Sequence, residues 1–347
     1  MLSKNIMRAC ALMLALCAAA PASAARGEFD MERWDEILAN VRTRAAAQNI
    51  SENTIKATLK TPAFIPSIVR SDKNQSEFKL TLEQYLNRTV SKTRIANGKK
   101  MRAKYPTMLG RVENKFGVPS HVILAFWGLE SNYGEYKAAH NLRDAFLTLM
   151  YDGRRETFFG NQLLALMKIA DDNNLDIASI RGSWAGAMGH FQFIPTTLAS
   201  YGVDGNGDGQ IDIIGSVGDA MFSAGNYLNK LGWNPNERIV RAVVVPADFD
   251  ASLLKGDVKK DLSQWASMGV TLPDGGALPV ADMTAGLVAD VAAIEDATPA
   301  DKDADTDVQP RPVIRAYLTY PNFYRIKKWN NSNWYAIAVA ELSDALK

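Results

Sequence analysis

Cysteine is almost absent from this chain: its two copies, Cys10 and Cys17, both fall in the first 24 residues. That stretch, MLSKNIMRACALMLALCAAAPASA, sets Lys4 and Arg8 ahead of an apolar run and ends in Ala22-Ser23-Ala24, the pattern of a cleavable secretory signal. Cleavage after Ala24 and a periplasmic destination are expected. Both thiols then leave with the signal, so no disulfide can staple the exported chain and its stability must come from a sizeable core. Cys17 follows Leu16, whereas a lipid-attachment cysteine wants a small residue before it. No later stretch approaches the run of about 20 apolar residues that spans a bilayer. Neither an anchor nor a membrane span is expected.

An excess of charge is missing as well. Lysine and arginine total 39 against 38 acidic residues, a formal net charge of +1, and this balance argues against nucleic acid, whose phosphates call for a clear basic excess on one face. Histidine is scarce. His121, His140 and His190 are scattered, with no cysteine or carboxylate at ligand spacing, which argues against a zinc site and against a Ser-His-Asp arrangement. Strand-like runs are few and late: RIVRAVVVP at 238–246 and RAYLTYPNFYRI at 315–326 are β-branched or aromatic. Between them, residues 290–312 are rich in Ala, Asp and Pro and poor in large apolar groups, and read as a mobile acidic loop. No internal repeat is evident.

What the chain does have is 347 residues, 47% of them hydrophobic and 22% charged, enough for one large domain or two smaller ones. The dominant pattern is helical. Two helices are expected between Asp30 and Leu59, the second starting near Ser51. Phe78, Leu82, Tyr85, Leu86 and Thr89 share one face of a further helix leading into another. Helical patterns also cover Pro119–Tyr133, closed by Gly134, then 157–171, 216–231 and Tyr335–Leu346.

The segment AFWGLESNYG (125–134) poses the chemical question. On a helix from Pro119, Glu130 projects from the face that carries Ile123, Phe126 and Trp127, while Val122, Ala125 and Leu129 cover the adjacent face. It also stands in the last turn, at the negative end of the helix dipole. Desolvation and dipole both disfavour the charged form, so its pKa should rise. A carboxyl still protonated near neutral pH suits a general acid acting on a glycosidic oxygen. The plainer reading is a structural glutamate paired with Arg154 or Arg155.

A second segment, GSWAGAMGHFQFIPTTLASYG (182–202), sets Gly182, Gly186 and Gly189 among aromatics, with Gln192 and Ser183 able to hold sugar hydroxyls and acetamido groups. A third, DGNGDGQID, puts Asp204, Asn206 and Asp208 at positions 1, 3 and 5, Gly209 at 6 and the Gln210 carbonyl at 7 of a calcium loop of the EF-hand type. Position 12 is Gly215 rather than the usual glutamate. The pattern fits only its first half, and a bare turn without an ion is the alternative.

Taken in order, LESNYG, GSWAGAMGHFQFIPTT, VDGNGDGQIDI and NNSNWYAIAV resemble the membrane-bound lytic murein transglycosylase B family of peptidoglycan-cleaving enzymes, from about Phe29 to the C-terminus. The resemblance implies a mainly α (α+β) fold: a goose-lysozyme-like catalytic core, 111–237, between an N-terminal helical lobe, 25–110, and a small mixed α/β lobe, 238–347. It implies cleavage of the β-1,4 bond between N-acetylmuramic acid and N-acetylglucosamine by one glutamate, Glu130. Ser183, Gln192, Tyr85, Tyr227, Asn330 and Tyr335 would line the sugar cleft, and Arg154 and Arg155 would contact substrate carboxylates. Trp329 departs from the family pattern, where a tyrosine is expected beside the asparagine, and the 290–312 segment is longer than the usual connection. A later carboxylate, Asp219 or failing that Asp212, would close a structural calcium site. No cofactor is expected for the chemistry. A monomer acting on peptidoglycan glycan strands is expected to leave 1,6-anhydro ends. A hydrolytic muramidase on the same fold and a non-catalytic wall-binding or calcium-binding protein are the competing readings.

Overall fold

The computed structural model describes residues 29–74, 80–136, 138–281, 283–291 and 313–347. The expected secretory signal with Cys10 and Cys17, Phe78, and residues 292–312 of the expected acidic loop lie outside the described residues.

The described residues are mainly helical. The N-terminal helices are α1 (Met31–Ala47), α2 (Glu52–Leu59), α3 (Pro66–Lys73), α4 (Leu82–Thr89), α5 (Lys92–Lys104) and α6 (Pro106–Phe116). The expected break before the second helix falls at Ser51, whose side chain accepts the Thr54 N–H as an N-cap. Helix α4 opens on a capping box between Thr81 and Gln84.

At the centre lies α7 (Ser120–Ser131), against which α5, α6, α11 (Val217–Lys230) and α14 (Asn333–Ala345) all pack. Pro119 provides no side-chain cap, and Glu113 of α6 does so instead, accepting Ser120 N at 3.0 Å and Ser120 Oγ at 2.6 Å. Every residue from Val122 to Gly128 is buried. Each large apolar side chain among them contributes about 1.5–3 kcal/mol by leaving water. This helix is therefore a rigid post, and Glu130 stands in its last turn. The helix stops three residues before the expected Gly134, because Asn132, Tyr133 and Gly134 all turn left-handed, with φ of 49°, 63° and 88°. Tyr133 is held there by its hydroxyl, which donates to Arg94 O at 3.0 Å. A Cβ on Gly128 of α7 would stand 2.7 Å from that hydroxyl, and one on Gly98 of α5 only 2.4 Å.

Helices α8 (Leu142–Asp152) and α9 (Glu156–Asp172) pack as a pair beside this post, joined by α1 to α3 on one side and by α10 (Pro195–Tyr201) on another. Two short strands, β1 (His140–Asn141) before α8 and β2 (Arg181–Gly182) after α9, pair antiparallel.

The smaller part is an antiparallel four-stranded sheet in the order β3 (Val240–Pro246), β6 (Val313–Thr319), β5 (Thr284–Ala289), β4 (Lys260–Asp261), with α12 (Leu262–Ser267) following β4. It has its own apolar cluster around Trp265, Phe249 and Leu287. The strand expected over 315–326 is corrected: it ends at Thr319, and Pro321 starts helix α13 (Pro321–Trp329). The aromatic run Asn322–Tyr324 reads as a strand by composition. Proline at the first helical position fixes the helical φ, however, and buried Asn322 donates to the carbonyls of Asn234 and Glu237. Strand β5 carries the small, weakly patterned TAGLVA and lies between two strands of the sheet.

Among the described residues no helix is long and apolar enough to cross a membrane.

Candidate active site

Glu130 opens onto a cleft of about 860 Å³, whose walls include Arg154, Arg155, Glu156, Gln192, Tyr227, Trp329 and Asn330. The carboxyl meets two donors on one oxygen. Tyr335 Oη donates to Oε1 at 2.5 Å and Trp329 Nε1 donates to the same oxygen at 3.0 Å. Burial pushes the Glu130 pKa up to about 7, against the smaller pull of those two hydrogen bonds, which favour the anion. Arg154 and Arg155 do not pair with it. Both reach Asp72, whose side chain is 2% exposed, and Arg154 Nε also meets Asp152 at 2.7 Å. The plainer reading of Glu130 as paired with either arginine is thereby removed, and its carboxyl, raised to about 7 by burial, stands at the cleft surface.

Helix α14 delivers Tyr335 from its first turn, capped by Ser332, whose side chain accepts Tyr335 N. Its hydroxyl, expected to meet sugar, donates to Glu130, and the residue is buried. Burial, then the charges of Glu130 and Tyr85, hold its phenol far above the ordinary value, so it remains a donor. Tyr85, on α4, is also within electrostatic reach of Glu130: burial raises its pKa, the Glu130 charge adds to this, and Arg94 opposes.

Gln192 sits at φ 50°, and its Nε2 folds back onto Gly189 O at 2.9 Å, leaving its carbonyl oxygen for a ligand donor in the cleft. Ser183, an expected sugar contact, also organises its own turn. Its hydroxyl accepts Ala187 N at 3.0 Å and its backbone N–H donates to Ala187 O at 2.7 Å, which fixes the turn whose Ala185 and Ala187 line the cleft. Tyr227 is buried, with its ring 4.3 Å from Tyr201 and 4.9 Å from Trp329, and it forms an apolar wall. Asn330 follows α13 and lines the cleft directly.

The 204–219 loop lies behind this wall. Asp204 accepts Gly207 N and Gly209 N, Asn206 Oδ1 accepts Asp208 N, and Asp208 accepts Gln210 N. Asp212 accepts Ile214 N and Gly215 N. Asp219, expected to close a calcium site, is fully buried, and both its oxygens are taken by backbone N–H groups of Gly205, Asn206 and Asp212. Among the described residues no three His, Cys, Asp or Glu side chains are grouped to hold a metal. Asp204, Asn206, Asp208, Gln210 and Asp219 thus meet in one loop drawn together by carboxylate and amide contacts to its backbone N–H groups. The loop also buttresses the cleft: Ile213 O accepts His190 N at 3.1 Å, and a Cβ on Gly189 would come within 2.4 Å of that same carbonyl.

Three contributors escaped the sequence reading. Trp329 was visible only as a departure from a pattern. Asp72, which orients both arginines, looks like an ordinary charge at a helix end. Glu156 is the other carboxylate among the described residues of the cleft wall, and it pairs with Arg33 at 3.6 Å.

Comparison with known proteins places these features in context. The family model for the transglycosylase SLT domain matches residues 33–344. Membrane-bound lytic murein transglycosylase B of Escherichia coli (strain K12) is 27% identical over 321 residues, 92% of this chain and 78% of its own length. The crystal structure of SltB3 from Pseudomonas aeruginosa in complex with NAG-anhNAM-pentapeptide superposes with a TM-score of 0.77 at 35% identity, covering 90% of this chain and 79% of that one. The Escherichia coli lytic transglycosylase Slt35 in complex with calcium gives a TM-score of 0.73 at 25% identity, covering 90% and 92%.

Proposed function

The chain belongs to the transglycosylase SLT domain family and is a lytic transglycosylase of peptidoglycan, and from that premise we propose that Glu130 alone serves as acid and then as base. Its proton, held near neutral pH by burial, passes to the glycosidic oxygen between N-acetylmuramic acid and N-acetylglucosamine as the C1–O bond breaks and the bonding pair leaves with the departing sugar. The substrate's own 2-acetamido group stabilises the positive centre at C1. Glu130, now a carboxylate, takes the proton from the C6 hydroxyl of the same sugar while O6 bonds to C1, giving a 1,6-anhydro end. No metal enters these steps.

The single observation that carries this reading is the half-buried Glu130 carboxyl, donated to by Tyr335 and Trp329 and opening onto the cleft. The NAG-anhNAM-pentapeptide bound by SltB3 supports the product. We take the site residues Gln192, Asn330, Tyr227, Arg154 and Arg155 as the surfaces that hold the glycan and its carboxylates, and the enzyme as a periplasmic monomer delivered by its cleaved signal. Digestion of purified peptidoglycan by wild type and Glu130→Gln tests the assignment. The variant keeps the shape and the acceptor for both donors but has no proton to give, so release of soluble fragments should fall by roughly 10²-fold or more. Undiminished release would take Glu130 out of the mechanism.

One observation favours a second reading. Glu156 lines the same cleft, and a second carboxylate that activates water would make the enzyme a hydrolytic muramidase.

A further inference from the structure

We propose that Trp329 is a positioning residue that, together with Tyr335, fixes which oxygen of Glu130 carries the transferable proton. The inference rests on the transglycosylase reading of Glu130 but concerns a residue at which this chain departs from the tyrosine its family resemblance leads one to expect. Both donors end on Oε1, Tyr335 at 2.5 Å and Trp329 at 3.0 Å. A carboxyl oxygen has two lone-pair directions, and here both are filled. A proton on Oε1 would have to displace the indole or reverse the Tyr335 hydroxyl into an acceptor. A second phenol in place of the indole would offer another group able to accept such a proton. An indole N–H only donates, so with Tyr335 donating as observed the proton lies on Oε2.

The indole cannot swing away to relieve such a conflict. Its ring is packed by Phe126 at 4.7 Å, Tyr227 at 4.9 Å and Phe193 at 5.2 Å between centroids, with Phe191 at 6.4 Å. Trp329 is thus wall and clamp in one: the rings fix the indole, and the indole fixes the carboxyl. In the acid step Oε2–H breaks as the proton joins the leaving oxygen. In the second step Oε2 takes the C6 hydroxyl proton. Oε1 remains an acceptor of two hydrogen bonds throughout, so neither step waits on rotation of the carboxyl.

The two donors also stabilise the anion, so deleting one must raise the pKa of Glu130 further. Carbon-13 NMR titration of side-chain-labelled glutamate, with Glu130→Gln identifying the Glu130 signal, reads this without relying on turnover. In Trp329→Phe the midpoint should move above about 7 by roughly half a unit or more. In Trp329→Tyr, which restores a donor, it should return toward the wild-type value. The falling limb of the rate against pH should move with it, and kcat should fall more than glycan affinity. An unmoved midpoint in Trp329→Phe, in protein that binds glycan fragments normally, would reduce Trp329 to a wall residue. Should Trp329→Phe not fold, Trp329→Tyr decides alone: a wild-type titration with wild-type kcat overturns the requirement for a donor that cannot accept, whereas a loss of kcat with an intact titration upholds it. Failure of the transglycosylase reading would be seen in the reaction products and would leave these titrations unaltered.

Discussion

The hydroxyl of Tyr335 donates to Oε1 of Glu130 across 2.5 Å, joining residues 205 positions apart in the chain. This contact ties the first turn of the C-terminal helix to the last turn of the central one, where α14 packs along α7. The acid is therefore set by tertiary packing at both ends, and its behaviour should be sensitive to pH and tolerant of little else.

Burial raises the Glu130 pKa from the ordinary 4.5 to about 7 in the folded protein. Because the protonated form is the acid, cleavage should decline as pH rises through about 7. Stability follows the same group with its own sign. Between the two values unfolding releases a proton, so the fold loses stability as pH rises, and the full penalty stands above the higher value. Glu130→Gln should accordingly raise the melting temperature in mildly alkaline buffer, by about 1–3 kcal/mol of stability, and leave it unchanged in acid buffer. An equal effect at both pH values would contradict the burial argument.

For Glu156 the prediction is a weak effect. Its ion pair with Arg33 spans 3.6 Å between side chains that are 39% and 43% exposed, and pairs of this kind contribute about 0–1 kcal/mol. Glu156→Gln should keep turnover within a few-fold and leave the products unchanged. Loss of activity comparable with Glu130→Gln would give Glu156 a catalytic part and favour hydrolysis.

Gln192→Ala removes a cleft acceptor whose amide group is already anchored on Gly189. Binding of glycan fragments, measured calorimetrically, should weaken by about 1–3 kcal/mol, the cost of leaving a buried polar group of the ligand without its partner. Unchanged affinity would leave Gln192 a purely structural residue of the turn.

Asp219 gathers three backbone N–H groups of its loop and is fully buried. Asp219→Ala strands all three donors and should lower the melting temperature by several degrees. Glycan affinity should drop with it, because Ile213 and His190 connect the loop to the Gln192 turn. The loss should be the same with excess calcium and with chelator. A loss seen only when calcium is present would make Asp219 a ligand after all.

Helical periodicity was enough to place Glu130 in the last turn of a buried helix, since an element that is apolar on nearly every face has few other arrangements. Its raised pKa was legible for the same reason. Composition failed at 320–326, where aromatic residues suit either state and the decision fell to Pro321 and the buried hydrogen bonds of Asn322. Strand β5 was illegible because its small residues gain their place from β6 and β4 on either side. The partners of the acid were hidden for a further reason. Nothing local in Trp329 or Tyr335 tells whether a polar tip meets a sugar or a carboxyl, and only the approach of α13 and α14 to α7 decides it. The three N–H contacts of Asp219 were equally hidden, because a carboxylate that gathers N–H groups and one that gathers a metal have the same local sequence.

In the proposed mechanism one carboxyl, with no activated water, cleaves and then closes the sugar. The C6 hydroxyl is tethered to the reacting ring, and such an intramolecular nucleophile has an effective concentration that can reach roughly 10⁵ M or more, against about 55 M for water. Mass spectrometry of the earliest fragments released from purified peptidoglycan reads the outcome directly. Muramic acid ends should be non-reducing and lighter by one water than hydrolysed ends, in wild type and Glu156→Gln alike. A predominance of reducing ends in those first fragments would contradict it and assign the enzyme to hydrolysis.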